Sequence, residues 1–206
     1  MTGTITGYRI VLPDGWHRLP AGPIALRPIA RELLLRLWAD QPRDQTAQRR
    51  RDLEQELVRL GDTASDQGGR ELLLSLQAVG GVPLAASAVV SMVPTLLDGE
   101  AGFVELAQVS AEGAISSGVF DLGRNRGVVV VRDQAVEARD RPAFLGEAGA
   151  AITRTRQVDI HLPVPDEPAM LLLSFSTPLM SLAESLTELF VAMSSTVQWR
   201  QDEHWS

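Results

Sequence analysis

The segment from residue 154 to residue 199 constrains the fold of this chain most strongly, because two strand patterns precede one helix pattern. In residues 153–162 apolar and polar side chains alternate, which is typical of a strand with one buried face. A proline-rich turn follows, and residues 169–175 begin with a run that is apolar on both faces. Such a run predicts a central strand that is covered on both sides.

The residues after this strand predict a long amphipathic helix. Thr177 is placed as its N-cap and Pro178 at its first position, where a proline loses no hydrogen bond. Apolar residues then recur at helical spacing as far as Val197, and serines and glutamates occupy the other face. We expect the helix to lie flat on the sheet, with Leu186 in its buried stripe.

Two further helices are predicted near the N-terminus. Apolar spacing predicts the first helix over residues 26–37, with Pro28 tolerated in its first turn. The second begins after Pro42 and ends at Gly68-Gly69, and Gly61 either ends it earlier or is carried through. Its narrow buried stripe is expected to comprise Leu53, Leu57, Leu60 and Ala64.

The remaining patterns predict strands joined by short loops, with a short helix within residues 98–112 and a long surface loop over 138–151. Consecutive strands of this kind form antiparallel sheets. The fold class is therefore α+β: a single antiparallel sheet of about six to seven strands, two N-terminal helices, and the C-terminal helix packed on the sheet. Residues 1–206 are expected to form one domain. The predicted strands are 8–12, 71–79, 84–93, 114–122, 127–136, 153–162 and 169–175.

Composition excludes several kinds of chemistry. The chain has no cysteine, so disulfides, thiol catalysis and thiolate metal sites are excluded. All 19 basic residues are arginine, so Schiff-base lysines and the phosphate-binding lysine of P-loops are excluded too. The use of arginine for every basic residue, with the alanine, glycine and proline content, indicates a GC-rich bacterial genome.

Charge and hydropathy narrow the possible partners. The net charge is −7, and no overall positive face is apparent, so we expect no nucleic-acid partner. The basic run Arg49-Arg50-Arg51 is followed by acids at helical spacing and is interpreted as a solvated helix face. No apolar run approaches about 20 residues, the length that spans a bilayer. No secretory signal pattern opens the sequence, and a cytoplasmic location is expected.

No established catalytic, cofactor or metal motif is present. The three histidines, His17, His161 and His204, are far apart and match no zinc-binding spacing, so we expect neither a metal nor a cofactor. One enzymatic alternative remains: Asp159 and His161 share a strand face, and the next strand carries Ser174 and Ser176 on one face. A Ser–His–Asp arrangement would need these groups within hydrogen-bond reach, and no Gly-x-Ser-x-Gly elbow supports it.

Two other features have alternative interpretations. Trp16 follows a turn, where it either faces a partner or covers the end of the sheet as a core residue. Trp205, near the C-terminus, is a second candidate for partner contact. Arg154 and Arg156 share a face with Val158, which indicates either a charged sheet edge or an anion-binding patch, and charge commonly protects edges.

Both ends of the chain resemble a known group of proteins. The apolar strand running into a Pro-x-Gly-Trp turn, residues 8–16, resembles the opening of PsbP-like proteins. Residues 171–178, leading into the last helix, are similar to the closing strand and helix of that group. Mycobacterial LpqN lipoproteins and uncharacterised actinobacterial cytosolic proteins are similar in the same places. This chain lacks the lipobox cysteine of LpqN, so membrane anchoring does not carry over.

The resemblance covers about a third of the chain, and its motifs concern the fold rather than catalysis. The group is diverse in role, with mostly binding and assembly functions. It therefore implies a non-enzymatic module that binds a protein partner or self-associates. The alternative is a small-ligand-binding or hydrolase-like enzyme centred on Asp159 and His161.

Overall fold

The chain folds as an α+β structure, known here from a computed structural model. It describes residues 5–37, 39, 43–76, 78–79, 82–83, 85–95, 99–137 and 152–201. The helices in this part of the chain are α1 (Pro23–Leu37), α2 (Arg43–Asp66), α3 (Gly99–Val109) and α4 (Ala183–Ser195). The strands are β1 (Ile5–Arg9), β2 (Trp16–Pro20), β3 (Gly69–Ser75), β4 (Ala78–Val79), β5 (Val82–Pro83), β6 (Ala86–Pro94), β7 (Ser116–Leu122), β8 (Asn125–Ala135), β9 (Arg154–Pro163), β10 (Ala169–Thr177) and β11 (Gln198–Gln201).

Seven of these strands form one antiparallel sheet, in the order β2-β3-β6-β10-β9-β8-β7. The α+β class and an antiparallel sheet of about six to seven strands are thereby confirmed, whereas the expectation of a single sheet is wrong, because two separate two-stranded sheets accompany it. Strand β10 occupies the centre, as its apolar run predicts. Strands β1 and β11 pair with each other as a separate ribbon, and β4 and β5 extend the β3–β6 hairpin.

One face of the sheet carries the larger core, beneath α4. Leu186, Phe190 and Met193 of α4 are buried against apolar side chains of the central strands. The rings of Phe190 and Phe175 stack with their centroids 4.6 Å apart. Each fully buried side chain of this size contributes about 1.5–3 kcal/mol, so α4 supplies a large block of the stabilisation.

The opposite face is covered by α1 and α2 at one end and by α3 at the other. Alternate residues of β3 point to this face, where they pack against α1 and α2. Gly61 lies inside α2, and a Cβ there would come within 2.2 Å of Leu26 of α1, so the glycine permits close helix contact. At the other end, α3 lies on β7 and β8: Ser117 donates a hydrogen bond to the carbonyl of Ala107. The cluster beneath α1 and α2 comprises Leu19, Leu26, Ala30, Leu34, Leu57, Ala64, Leu72 and Leu74.

The helix predictions need three corrections. Thr177 is not an N-cap: it is still paired with Arg156 in the β10–β9 ladder, and its hydroxyl donates to the carbonyl of Ala85 at 2.8 Å. A short 3-10 turn (Met180–Leu182) intervenes, and α4 begins only at Ala183. In α2, Leu60 of the expected buried stripe is 36% exposed.

The strand predictions also need correction. Strand β1 begins and ends three residues earlier than predicted, and neither β2 nor β11 was predicted as a strand. The sheet edge proposed for Arg154 and Arg156 is wrong, because β9 lies between β10 and β8. Strand β10 is not fully covered on both faces either, since Leu172 is only half-buried. The loop predicted over residues 138–151 lies outside the described residues.

Candidate functional site

A strip of polar side chains crosses the middle of the sheet, on the face that carries α1, α2 and α3. It comprises Gln157, Asp159 and His161 on β9 and Ser174 on β10, and we call it the polar strip. The register places Ser174 directly opposite Asp159, so both project from the same face. The four side chains are half-buried. The structure therefore brings together Asp159 and one of the two serines considered in the sequence.

The carboxylate of Asp159 is the hub of the polar strip. It accepts hydrogen bonds from the hydroxyl of Ser174 at 2.5 Å and from the amide of Gln157 at 2.9 Å. Arg132 of β8 contacts it at 3.3 Å, and another nitrogen of that guanidinium donates to the carbonyl of Ser110 after α3. These contacts link three adjacent strands to the end of α3.

His161 takes no part in this hydrogen-bond network. Burial lowers the pKa of His161; the charge of Asp159 opposes this shift, and the charge of Arg132 adds to it. A catalytic triad requires the serine hydroxyl to donate to the histidine. Here the hydroxyl of Ser174 donates to Asp159 instead, so the polar strip has the connectivity of a structural network rather than that of an activated nucleophile.

The structure describes one of the two tryptophans that the sequence offers as candidate partner contacts. Trp16 is 7% exposed and packs edge to face against Phe190, with the ring centroids 6.3 Å apart. This is the core position that its sequence context allowed. Trp205 and His204 lie outside the described residues.

The outer edge of β7 offers a surface of a different kind. Strand β7 ends the sheet, and it pairs with β8 in unbroken register from Ser116↔Val131 to Leu122↔Asn125. The two-residue turn contains Gly123 with φ +65°, which suits a tight hairpin. In the part of the chain that the structure describes, no other strand pairs with β7.

The turn also determines which backbone groups of β7 point outwards. A two-residue turn makes Leu122 and Asn125 a hydrogen-bonded pair, and such pairs then alternate along an antiparallel ladder. The N–H and C=O groups of Ser117, Val119 and Asp121 are consequently directed away from β8. These groups form a ready template for an added strand.

The two edges of the sheet differ in their protection. Strand β2, at the other edge, has five residues, carries the exposed Arg18 and ends in Pro20. Strand β7 has seven residues without proline, lysine or arginine, and its one charged residue, Asp121, lies opposite Arg126 in the ladder. Four large apolar side chains are exposed on β7, on α3 and in the segment between them: Val104, Val109, Ile115 and Phe120.

The sequence patterns did not identify β7 as an edge, although they predicted a strand there. The absence of charge and proline from residues 116–120 was the available signal. The absence of charge and proline can be interpreted as a feature of an edge strand only when the order of the strands is known.

Metal and membrane features are absent from the described part of the chain. Its histidine, aspartate and glutamate side chains form no group of three or more that could hold a metal ion. None of its helices combines the length and apolar character needed to span a bilayer.

Comparison with known proteins gives only distant structural likenesses. No protein family matches this chain, and neither does any curated protein sequence. LpqN of Mycobacterium tuberculosis, described as involved in cell envelope biogenesis, has 11% identity and a TM-score of 0.47, covering 96% of this chain and 84% of LpqN.

Two structures of Mog1 are also similar. One is the Saccharomyces cerevisiae Ran-binding protein Mog1p, with 9% identity and a TM-score of 0.38, covering 62% of this chain and 77% of Mog1p. The other is a point mutant of Mog1, with 8% identity and a TM-score of 0.39, covering 62% of this chain and 78% of that one. The structural likeness to LpqN that the sequence predicts is thus present, but at these identities and TM-scores it does not indicate a function. The actinobacterial origin stays a prediction.

Proposed function

We propose that this protein is a non-enzymatic protein-binding module whose contact surface is the outer edge of β7. The observation that carries the proposal is the outer edge of β7, with which no strand of the described residues pairs, and on which Phe120 is exposed beside the outward backbone groups. Addition of a strand to such an edge is a recurrent mode of protein recognition, in which main-chain hydrogen bonds provide affinity.

A second copy of the chain is the partner that the edge fits. In an antiparallel pairing centred on Val119, the two Val119 residues exchange backbone hydrogen bonds about a two-fold axis. Phe120 of one copy then lies opposite Gly118 of the other. The ring of Phe120 already covers Gly118 of its own strand, where an added Cβ would come within 3.1 Å of the ring.

The charges of β7 are compatible with this pairing. Asp121 of one copy faces Ser117 of the other, so no like charges come together. Val119 of each copy lies beside the other on the α3 face. The dimer would thus continue the sheet without leaving an unpaired charge at its centre.

The experiment is sedimentation analysis of three purified forms of the chain. Val119→Pro removes one outward N–H without removing a hydrogen bond to β8, because proline is tolerated where an edge N–H faces solvent. Val119→Thr is the matched control, since threonine is also β-branched and keeps the N–H. Circular dichroism of each variant establishes that the fold is retained.

The proposal expects a concentration-dependent dimer for the wild type and for Val119→Thr, and a monomer for folded Val119→Pro. A wild type that stays monomeric up to about 300 µM, well above micromolar dissociation constants, would exclude the second copy as partner. Phe120→Arg provides an independent variant, because it puts a charge on the apolar part of the same edge, and it should also weaken the dimer.

A further inference from the structure

We infer that a cavity beneath the β1–β11 ribbon is a binding site for a small organic acid with an apolar body. The cavity has a volume of about 450 Å³. It lies between the β1–β11 ribbon on one side and β3, β6, β10 and the turn after β9 on the other. Pockets of about 300–1,000 Å³ are typical of small-molecule sites. The cavity is distinct from the β7 edge, so the inference goes beyond the proposed protein-binding function.

Part of the cavity lining is apolar. Ile5, Met92 and Ala169 line the cavity and are half-buried, so they present apolar surface to it, whereas Val90 and Leu171 line it but are almost fully buried. The half-buried apolar side chains are suited to contact the hydrocarbon part of a ligand. The polar groups lie on the ribbon and on the strand ends around the cavity.

One carboxylate of the cavity is already neutralised by its neighbours. Glu71 accepts a hydrogen bond from the hydroxyl of Tyr8, and Arg18 contacts the same carboxylate at 3.7 Å. The guanidinium of Arg18 also lies over the ring of Tyr8, 5.4 Å from its centroid. Burial, reinforced by the hydrogen bond to Glu71, raises the pKa of Tyr8, so the phenol stays protonated as a donor.

Two other arginines of the cavity have no such partner. Arg70 of β3 and Arg200 of β11 both line it, and no hydrogen bond or ion pair within the described residues engages either guanidinium. Arg70 belongs to the sheet and Arg200 to the ribbon, and both residues are exposed. Glu167, the other acid of the lining, is exposed on the turn after β9.

This arrangement selects an anion that also has apolar surface. Guanidinium groups present a planar fork of donors that matches a carboxylate. The Arg18–Glu71 pair cancels its own charge, so Arg70 and Arg200 provide the unpaired positive charge of the cavity. A carboxylate bound by these arginines would leave an attached hydrocarbon chain to pack against the half-buried Ile5 and Met92.

The test uses octanoate as the probe, titrated calorimetrically into the full chain, with octanamide as the uncharged analogue of similar shape. Arg70→Gln and Arg200→Gln each remove one guanidinium from the cavity. Arg9→Gln is the matched control, because Arg9 is exposed on the same ribbon but does not line the cavity.

The inference expects octanoate to bind at least about tenfold more tightly than octanamide, and each cavity substitution to weaken octanoate binding by about tenfold or more. The Arg9→Gln variant should bind octanoate as the wild type does. Absence of octanoate binding at about 10 mM overturns the inference. So does equal affinity for octanoate and octanamide, or an affinity that either cavity substitution leaves unchanged. None of these outcomes depends on dimerisation through β7, so the two proposals fail separately.

Discussion

Arg156 on β9 donates hydrogen bonds to the carboxylate of Asp133, its direct neighbour across the ladder on β8. The arginine is only 5% exposed, and its remaining guanidinium nitrogen reaches Glu184 in the first turn of α4 at 2.9 Å. The hydrogen bond from Arg156 lowers the pKa of Asp133. A buried ion pair thus joins two strands to the start of the helix that covers them.

The first prediction concerns this ion pair. Asp133→Asn should lower the free energy of unfolding by about 3 kcal/mol, because it leaves a buried guanidinium with the exposed Glu184 as its main acidic partner. Glu184→Gln should change it by no more than about 1 kcal/mol, since that side chain is 83% exposed and solvent screens its charge. Urea denaturation measures both. An equally large loss of unfolding free energy for Glu184→Gln and Asp133→Asn would contradict the interpretation that Asp133 is the main partner of Arg156.

The second prediction concerns the apolar face of α4. Leu186→Asp should prevent folding, because Leu186 is 4% exposed and a buried carboxylate there has no partner. Leu182→Asp is the control: Leu182 is 44% exposed and stands at the N-cap of α4, where aspartate is favourable. Circular dichroism and thermal unfolding should show a folded Leu182→Asp variant and an unfolded Leu186→Asp variant.

The third prediction compares two glycines with nearly the same backbone conformation. Gly113 and Gly123 have φ of +67° and +65°, so alanine is strained at either position by about 1–2 kcal/mol. A Cβ at Gly113 meets nothing within 4 Å, whereas at Gly123 it would lie 2.2 Å from the carbonyl oxygen of Ser195. Gly123→Ala should therefore be the more destabilising by about 1–3 kcal/mol, which denaturant midpoints can measure. Equal losses would show that the close approach of the β7–β8 turn to α4 is not maintained.

The fourth prediction concerns pH. Burial lowers the pKa of His161 in the folded state below its ordinary 6.5, so between these two values the unfolded chain binds more protons. Stability should therefore be constant above the ordinary value and fall as the pH decreases below it. His161→Gln should flatten this decline when urea midpoints are compared at pH 7, 6 and 5. The Asp133 effect is separate, because its pKa is lowered from 3.8 and its contribution is lost only in more acidic solution.

Local patterns in the sequence were sufficient to predict most of the helices and strands. Alternation over residues 153–162 predicted β9 to within one residue at each end, and apolar spacing predicted α1 and α2 as separate helices. These predictions succeed because side chains alternate every two residues in a strand and recur every 3.6 in a helix. The core roles of Leu186 and Phe190 follow from the same periodicity.

The neighbours of each element were decided only by the tertiary structure. The sequence pattern placed Thr177 as a helix N-cap, but its hydroxyl donates a hydrogen bond to the carbonyl of Ala85, which is 92 residues away in the sequence. The sequence pattern around Arg156 suited a sheet edge, but in the structure Arg156 lies opposite Asp133 in the β8–β9 ladder. The same holds for the position of β7 at the edge of the sheet and for the pairing of Arg18 with Glu71.

The physical reason is that side-chain periodicity determines which residues share a face, whereas strand order depends on contacts between distant parts of the chain. Side-chain periodicity was therefore sufficient to predict four helices, most strands, the α+β class and the buried stripe of α4. The tertiary structure decided which strand is central, which edge is open and which charges are paired. Both proposed binding surfaces depend on those long-range decisions.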